Sequence, residues 1–275
     1  MPELPETETI ARDLDRAITG RRITEVDVRK ADVLREGSPD DLAARVVGRE
    51  LVRTWRRAKL VVLDLDSGDR IVVQPRFTGA LLLARGPLPG HEAPYSTLRF
   101  ALDDGRDLHY RDIRRLGTVA LMSPSRFAQY SEKLGIEPLD RTFTASHLSG
   151  ILRGSRQAVK KVLMDQRLVV GVGNIYANEA CWRAGIDPSR AARSITADEA
   201  DALQAGIVGV LTDSIAARGT SFRDYRDASG GRGDFERSLA VYGRGGEPCL
   251  RCGARLVETH AIDGRSTVLC ARCQK

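Results

Sequence analysis

Apolar side chains recur along this chain with two different periods, and the change of period divides it. From Glu6 to Ile18 the spacing is helical. Ile10, Leu14 and Ala17–Ile18 share one face, Pro5 with Glu6 and Glu8 opens the helix, and Gly20 stops it. From there to about Ser123 the apolar segments are short and strand-like. Ile23, Val26 and Val28 nearly alternate. Glu50–Arg57, Leu60–Leu65, Ile71–Val73, Ala80–Ala84, Thr97–Leu102, Asp107–Tyr110 and Thr118–Met122 follow, with turns at Ser67-Gly68-Asp69 and Asp104-Gly105. Many short strands with no helices between them predict an antiparallel two-sheet β-sandwich and exclude a doubly wound parallel sheet.

Past Ser125 the pattern lengthens. Leu134-Gly135-Ile136-Glu137-Pro138-Leu139 reads as a connector, and helices are predicted over Ala145–Arg153, Gln157–Met164, Asn174–Ala184 and Ala197–Ala217. The last opens on a capping box, Thr196 with Glu199 three residues on. The expected fold is therefore α+β and multidomain. It comprises an N-terminal helix and sandwich over residues 1–134, a linker over 135–149, a helical domain over 150–238 and a finger over 239–275. No internal repeat and no low-complexity tract is present.

Composition narrows the setting. A chain of 275 residues with 42% hydrophobic and 29% charged residues is long enough for two modest, soluble domains. No apolar run approaches the roughly 20 residues that span a bilayer. The N-terminus lacks the basic-then-apolar pattern of a signal peptide, so a cytoplasmic location, no membrane partner and a monomer are expected. The net charge of +6 is uneven: residues 150–275 carry 19 Lys/Arg against 14 Asp/Glu, while the first 149 are nearly neutral. A basic second half suits a polyanionic partner.

Four of the five cysteines crowd the C-terminus as two CxxC pairs, Cys249/Cys252 and Cys270/Cys273. Each pair offers two thiolates on one tight turn, and together they complete a tetrahedral zinc site in preference to disulfides or an iron–sulfur cluster. Four ligands leave no open position, so one structural zinc is expected. Between the pairs, Leu256–Ile262 and Ser266–Leu269 flank Asp263-Gly264, which reads as a hairpin turn with Arg265 just past its tip. Cys181, inside a predicted helix, reads as a small core residue.

Two other stretches carry candidate chemistry. Initiator methionine is usually trimmed before a small residue, so the mature chain is expected to begin at Pro2. Its α-amine, titrating near pH ~8, is in part a neutral secondary amine able to form an iminium with the masked aldehyde of a sugar. Glu3 and Glu6 lie close enough to exchange protons with it. The same residues also suit an ordinary helix start. At Gly171-Val172-Gly173-Asn174 two glycines lead into a helix N-terminus, where free amides can hold a phosphate. A dinucleotide fingerprint is excluded, because its third glycine would fall on Tyr176. Arg56-Arg57-Ala58-Lys59, between two strands, reads as a basic loop.

Taken together these segments resemble the formamidopyrimidine-DNA glycosylases. The resemblance is carried by Met1-Pro2-Glu3-Leu4-Pro5-Glu6, by Met164-Asp165-Gln166 with Val170–Glu179, and by Val241-Tyr242-Gly243-Arg244, both CxxC pairs, Gly264-Arg265-Ser266-Thr267 and Cys273-Gln274. It covers essentially the whole chain. It implies a helix–two-turns–helix domain in the second half and a zinc-bound β-hairpin finger after it. It also implies Pro2 as nucleophile, Glu3 managing protons on the opening sugar, and Lys59 assisting attack and strand positioning. Asn174 would bind the DNA backbone beside the lesion, and Arg265 would grip phosphate and assist elimination. The loop Gly219–Tyr225 with Ser229–Gly233 would cap an everted purine.

Departures cluster where the family fills the gap left by the flipped base. Phe77 stands in place of a methionine, Gln74 in place of a histidine and Leu116 in place of a phenylalanine, while Arg114 persists. Tyr95 replaces a DNA-contacting histidine, unless His91 takes that place, and Ser155 replaces a lysine with Arg156 beside it. Phe77 can still wedge between bases, as apolar side chains do in DNA-kinking proteins. The implied activity is removal of oxidised purines from damaged double-stranded DNA through a Schiff base, followed by β- and δ-elimination. An endonuclease VIII-like enzyme for oxidised pyrimidines is the nearest alternative, although that branch typically has glycine where Leu4 stands. A non-catalytic zinc-ribbon protein that binds damaged DNA is the other.

Overall fold

The computed structural model describes residues 2–221 and 225–275. It divides into two compact units, one of residues 1–132 with 217–236, the other of 133–216 with 237–275. Among the described residues, no helix is long and apolar enough to cross a membrane.

The first unit opens with α1 (Leu4–Ile18), which starts two residues earlier than its apolar period because Pro5 fits the first helical turn. Two four-stranded antiparallel sheets follow. One has the order β1 (Ile23–Val28), β6 (Ser96–Leu102), β7 (Asp107–Asp112), β5 (Gly79–Ala84). The other has the order β2 (Leu51–Arg57), β3 (Leu60–Leu65), β4 (Arg70–Gln74), β8 (Thr118–Met122). Alternation along each strand supplies one apolar face per sheet. Leu81, Leu98, Phe100, Leu108 and Tyr110 meet Val61, Leu63, Ile71, Val73, Val119 and Leu121 in a single core. Ile10, Leu14 and Ile18 of α1 close its edge. Residues past 217 return to this unit: Tyr225 and Ala228 join the same core, and the Ala228 carbonyl accepts from the Leu83 amide at 2.9 Å.

Two helices here carry no long apolar period and were not expected from it. α2 (Pro39–Val46) is nucleated by a capping box in which the Ser38 hydroxyl accepts from the Asp41 amide at 3.1 Å and the Asp41 carboxylate from the Ser38 amide at 3.0 Å. α3 (Pro124–Ser131) lies between the last strand and the expected connector, opened by Ser123, whose hydroxyl accepts from the Arg126 amide at 3.2 Å.

The second unit is helical. α4 (Ala145–Arg153), α5 (Val159–Leu163), α6 (Asn174–Ala184) and α7 (Ala197–Ala216) are followed by the short strands β9 (Val257–Thr259) and β10 (Thr267–Leu269). α5 is shorter than its apolar pattern, because the Val159 and Lys160 amides pair with the Arg190 and Pro188 carbonyls instead of the preceding turn. α6 is buried on nearly every side, Cys181 included, which suits the core role read for that cysteine. Gly206 of α7 lets the two helices approach closely, since a Cβ there would come within 3.0 Å of the Ala180 carbonyl.

The hairpin departs from its two-residue reading. Asp263 (φ +51°) and Gly264 (φ +64°) do form a left-handed turn closed by the Arg265 amide on the Ile262 carbonyl at 3.0 Å. Strand pairing, however, stops at Thr259 with Thr267, so a longer loop carries Arg265.

Candidate functional site

Pro2 is buried immediately before α1, and Met1 lies outside the described residues. Glu3 caps that helix and is 2% exposed, and Glu6, one turn on, is 1% exposed. Buried carboxylates need partners. Glu6 takes two backbone amides, Glu3 at 2.8 Å on one oxygen and Thr220 at 2.8 Å on the other. It thus straps the start of the chain to the segment that returns after α7. Gly219 (φ +87°) is required at that junction, because a Cβ would sit 3.0 Å from Glu6 Cγ and Oε1. Arg218 braces the same segment, with Nη2 to Asp13 and to Asp227 each at 2.5 Å. The expected capping loop includes Phe222, Arg223 and Asp224, which lie outside the described residues.

Lys59 is half-buried in the turn between β2 and β3, where Ala58 takes φ +55°. This turn is less solvated than its composition implies. The side chain of Arg56 is only 8% exposed, with Nε 2.7 Å from Glu8 on α1 and Nη1 donating to the Ala58 carbonyl at 3.0 Å. Burial raises the Glu8 carboxyl, but Arg56 and Arg12 outweigh it and hold the group below the usual range. The turn that presents Lys59 is in this way fixed to the helix that presents Pro2.

Among the exposed large apolar side chains of the sandwich unit are Phe77 (43%), Tyr95 (38%), Leu116 (38%) and Ile113 (36%). Phe77 and Arg115 both hold positive φ, +46° and +51°, which side chains of that bulk rarely adopt and which marks a backbone held by its surroundings. The Arg114 guanidinium lies 4.8 Å from the Phe77 ring centroid. Tyr95 ends a short 3₁₀ turn with the Arg111 guanidinium 5.9 Å from its ring, and the His91 side chain is 81% exposed. Gln74 accepts from Arg76 Nε at 3.0 Å.

In the helical unit, Gln166 pins the two turns before α6. Its amide donates to the Met164 and Val172 carbonyls at 2.9 and 2.8 Å and accepts from the Gly171 amide at 2.8 Å. Gly171 (φ +79°) permits the reversal. Asn174, first in α6, donates from Nδ2 to the Ser266 carbonyl at 3.1 Å, and among the described residues its buried Oδ1 has no hydrogen-bond partner. Arg265, next in sequence to Ser266, is exposed. Arg156 is exposed and Ser155 half-buried, its hydroxyl accepting from the Gln157 amide.

Three buried residues whose roles the sequence did not show act here: two hold this loop, and the third holds the segment before the first CxxC pair. Lys160, fully buried, donates from Nζ to the Ser266 carbonyl at 2.8 Å and the Thr267 hydroxyl at 2.7 Å. Asn178 accepts from the Val268 amide at 2.8 Å. Glu179, which burial pushes above the usual carboxylate range, accepts from the Ala240, Val241 and Tyr242 amides at 2.8–2.9 Å. The legible signal was a polar pair, Asn178-Glu179, inside an otherwise apolar helix.

The four cysteine sulfurs lie within 4.8 Å of one another. Tetrahedral zinc with bonds of about 2.3 Å places its sulfurs about 3.8 Å apart, so the cluster fits that ion with little adjustment. Burial pushes the Cys249 thiol up. The Trp182 side chain and the amides of Arg251 and Cys252 outweigh it and bring that thiol down, while hydrogen bonds to Cys252, Cys270 and Cys249 push the Cys273 thiol up.

Comparison with known proteins gives one consistent answer. The formamidopyrimidine-DNA glycosylase N-terminal domain matches residues 1–119, the H2TH domain of the same glycosylase matches 134–226, and a zinc finger found in FPG and IleRS matches 246–275. Formamidopyrimidine-DNA glycosylases from Desulfitobacterium hafniense and Laribacter hongkongensis are each 42% identical over 276 residues, covering 100% of both chains. The crystal structure of the MutM (Fpg) protein of Thermus thermophilus superposes with a TM-score of 0.87 at 34% identity, covering 99% of this chain and 98% of that one. Lactococcus lactis Fpg in complex with DNA containing N7-benzyl-Fapy-dG superposes with a TM-score of 0.92 at 30% identity over 100% of both.

Proposed function

This chain belongs to the formamidopyrimidine-DNA glycosylase family, and we propose that it is a bifunctional DNA glycosylase and AP lyase of base excision repair whose substrates are 8-oxoguanine and formamidopyrimidines in duplex DNA. The observation that carries this assignment is the first turn of α1, where Pro2 is buried beside the capping Glu3 and the segment is strapped in place through Glu6.

The lesion nucleotide leaves the stack, at a cost of a few kcal/mol that pocket contacts and the inserted side chains offset. The neutral Pro2 nitrogen attacks C1′ of the sugar and the base departs with the glycosidic electron pair. Glu3 delivers a proton to the ring oxygen as the sugar opens, leaving an iminium between Pro2 and C1′. The iminium acidifies the C2′ hydrogen. Loss of that proton expels the 3′ phosphate, and a second elimination expels the 5′ phosphate, so the strand is cut on both sides. Lys59 neutralises phosphate charge beside the attack. Asn174 and Arg265 hold the backbone at the lesion, as contacts to phosphate position the duplex without specifying sequence.

Cys249, Cys252, Cys270 and Cys273 hold one zinc ion, which fixes the ribbon carrying Arg265 and, with four ligands, leaves no position for substrate. The partner is damaged double-stranded DNA, and the site of action is the cytoplasm. Incubation with duplexes that each carry one lesion tests substrate class. Excision of 8-oxoguanine and formamidopyrimidine well above oxidised pyrimidine is expected, and a preference for oxidised pyrimidines would place the chain with the endonuclease VIII-like enzymes.

A further inference from the structure

The end of β7 carries two adjacent buried charged residues, Arg111 (5% exposed) and Asp112 (1%), that the reaction above does not use. β7 lies between β6 and β5, and Arg111 pairs across to Ser96 and Ala80 while Asp112 pairs with Gly79. Successive strand residues point to opposite faces, so the two side chains diverge from one point. That point is where the loops bearing Phe77, Tyr95 and Leu116 meet the sheet.

Asp112 binds two of these loops. One oxygen accepts from the Thr78 hydroxyl at 2.5 Å and the Arg114 amide at 3.2 Å. The other accepts from the Gly117 amide at 2.8 Å and the Tyr110 hydroxyl at 3.3 Å. The Thr78 hydroxyl also accepts from the Arg114 amide at 3.0 Å, closing the loop of Phe77 directly on the loop of Leu116. Arg111 takes the Thr78 carbonyl at 3.0 Å and reaches Glu92, which opens the turn carrying Tyr95, at 2.5 Å. Glycine is required around this knot. A Cβ at Gly117 would come within 1.8 Å of the Tyr110 hydroxyl, and one at Gly79 within 2.9 Å of both that hydroxyl and Pro75 Cα.

We propose that Arg111 and Asp112 are positioning residues that lock Phe77, Arg114 and Leu116 into stack-inserting geometry before DNA binds. A ring held at φ +46° does not keep that conformation unaided. Preorganisation removes the ordering cost from the eversion step, where a loose loop would lose it. The proposal rests on the glycosylase assignment.

The test pairs Asp112→Asn with Thr78→Val and Thr78→Ser. An amide keeps one acceptor oxygen and turns an N–H₂ toward donors, so Asp112→Asn releases one loop. Single-turnover excision of 8-oxoguanine opposite cytosine is expected to fall about tenfold or more, while cleavage of a preformed abasic duplex falls less than about threefold. A 2-aminopurine beside the lesion should report a slowed insertion step. Thr78→Val should reproduce the effect in part, and Thr78→Ser, which keeps the hydroxyl, should restore it. Wild-type excision by Asp112→Asn, or parallel loss of both activities, overturns the proposal. If that variant does not fold, equal insertion rates for Thr78→Val and Thr78→Ser overturn it instead. A wild-type protein inactive on every lesion duplex would count against the glycosylase assignment, not against the clamp.

Discussion

Truncating Phe77 to alanine separates a wedge from a core residue by magnitude. The ring is 43% exposed and stacks on Arg114. A phenylalanine presents on the order of 200 Å², so 43% leaves about 85 Å² to bury. At about 25 cal/mol per Å², insertion between bases is worth about 2 kcal/mol. Losing it should lower the everted population, and with it excision of a base-paired lesion, about 30-fold. In the free protein the truncation removes the covered part of the ring as well as the Arg114 stacking, about 1–2 kcal/mol in all, a Tm shift of roughly 2–6 °C. A core phenylalanine would instead cost about 3–5 kcal/mol, at least about 6 °C. Single-turnover excision on an 8-oxoguanine duplex, cleavage of an abasic duplex and calorimetry supply the three numbers. Abasic cleavage should fall much less than excision, since no base must be expelled. A Tm drop beyond about 6 °C with both activities lost in parallel would refute the wedge.

Two further perturbations address the ribbon. Cys273→Ser, or zinc withdrawal by a chelator, should release the hairpin locally and abolish duplex binding, because a structural zinc site contributes directly to folding; metal analysis with a binding titration checks it, and normal binding without zinc would contradict it. Arg265→Ala should weaken binding without changing which lesion is preferred and reduce the log–log salt slope by about one; an unchanged slope with altered lesion choice would show that Arg265 reads the base instead.

Strong periodicity made most of the fold legible. Every strand of the sandwich shows in its apolar spacing, because each buries one face. α2 and α3 do not show, since each contributes little to the core and is specified by its cap, Ser38 with Asp41 or Ser123. The four cysteines were legible from spacing alone. Glu6 was legible as an acid near Pro2 but not as a strap, because its partner, the Thr220 amide, is 214 residues away. Lys160 stands beside Lys161 with nothing in the sequence to tell it from a surface lysine. Only the folded ribbon places the Ser266 carbonyl against it. Arg111 and Asp112 lie just past the strand read over Asp107–Tyr110, and burial of two adjacent charges there cannot be read until the three loops are seen to converge on them.

The central claim is that the reaction runs through the Pro2 amine, and borohydride trapping on a duplex carrying 8-oxoguanine opposite cytosine tests it most directly. A covalent protein–DNA adduct should form with the wild-type chain, and peptide mapping should place it on Pro2. It should vanish when Pro2 is replaced or when an uncleaved Met1 blocks the amine. Excision without a trapped adduct, or an adduct mapped to Lys59, would contradict the account.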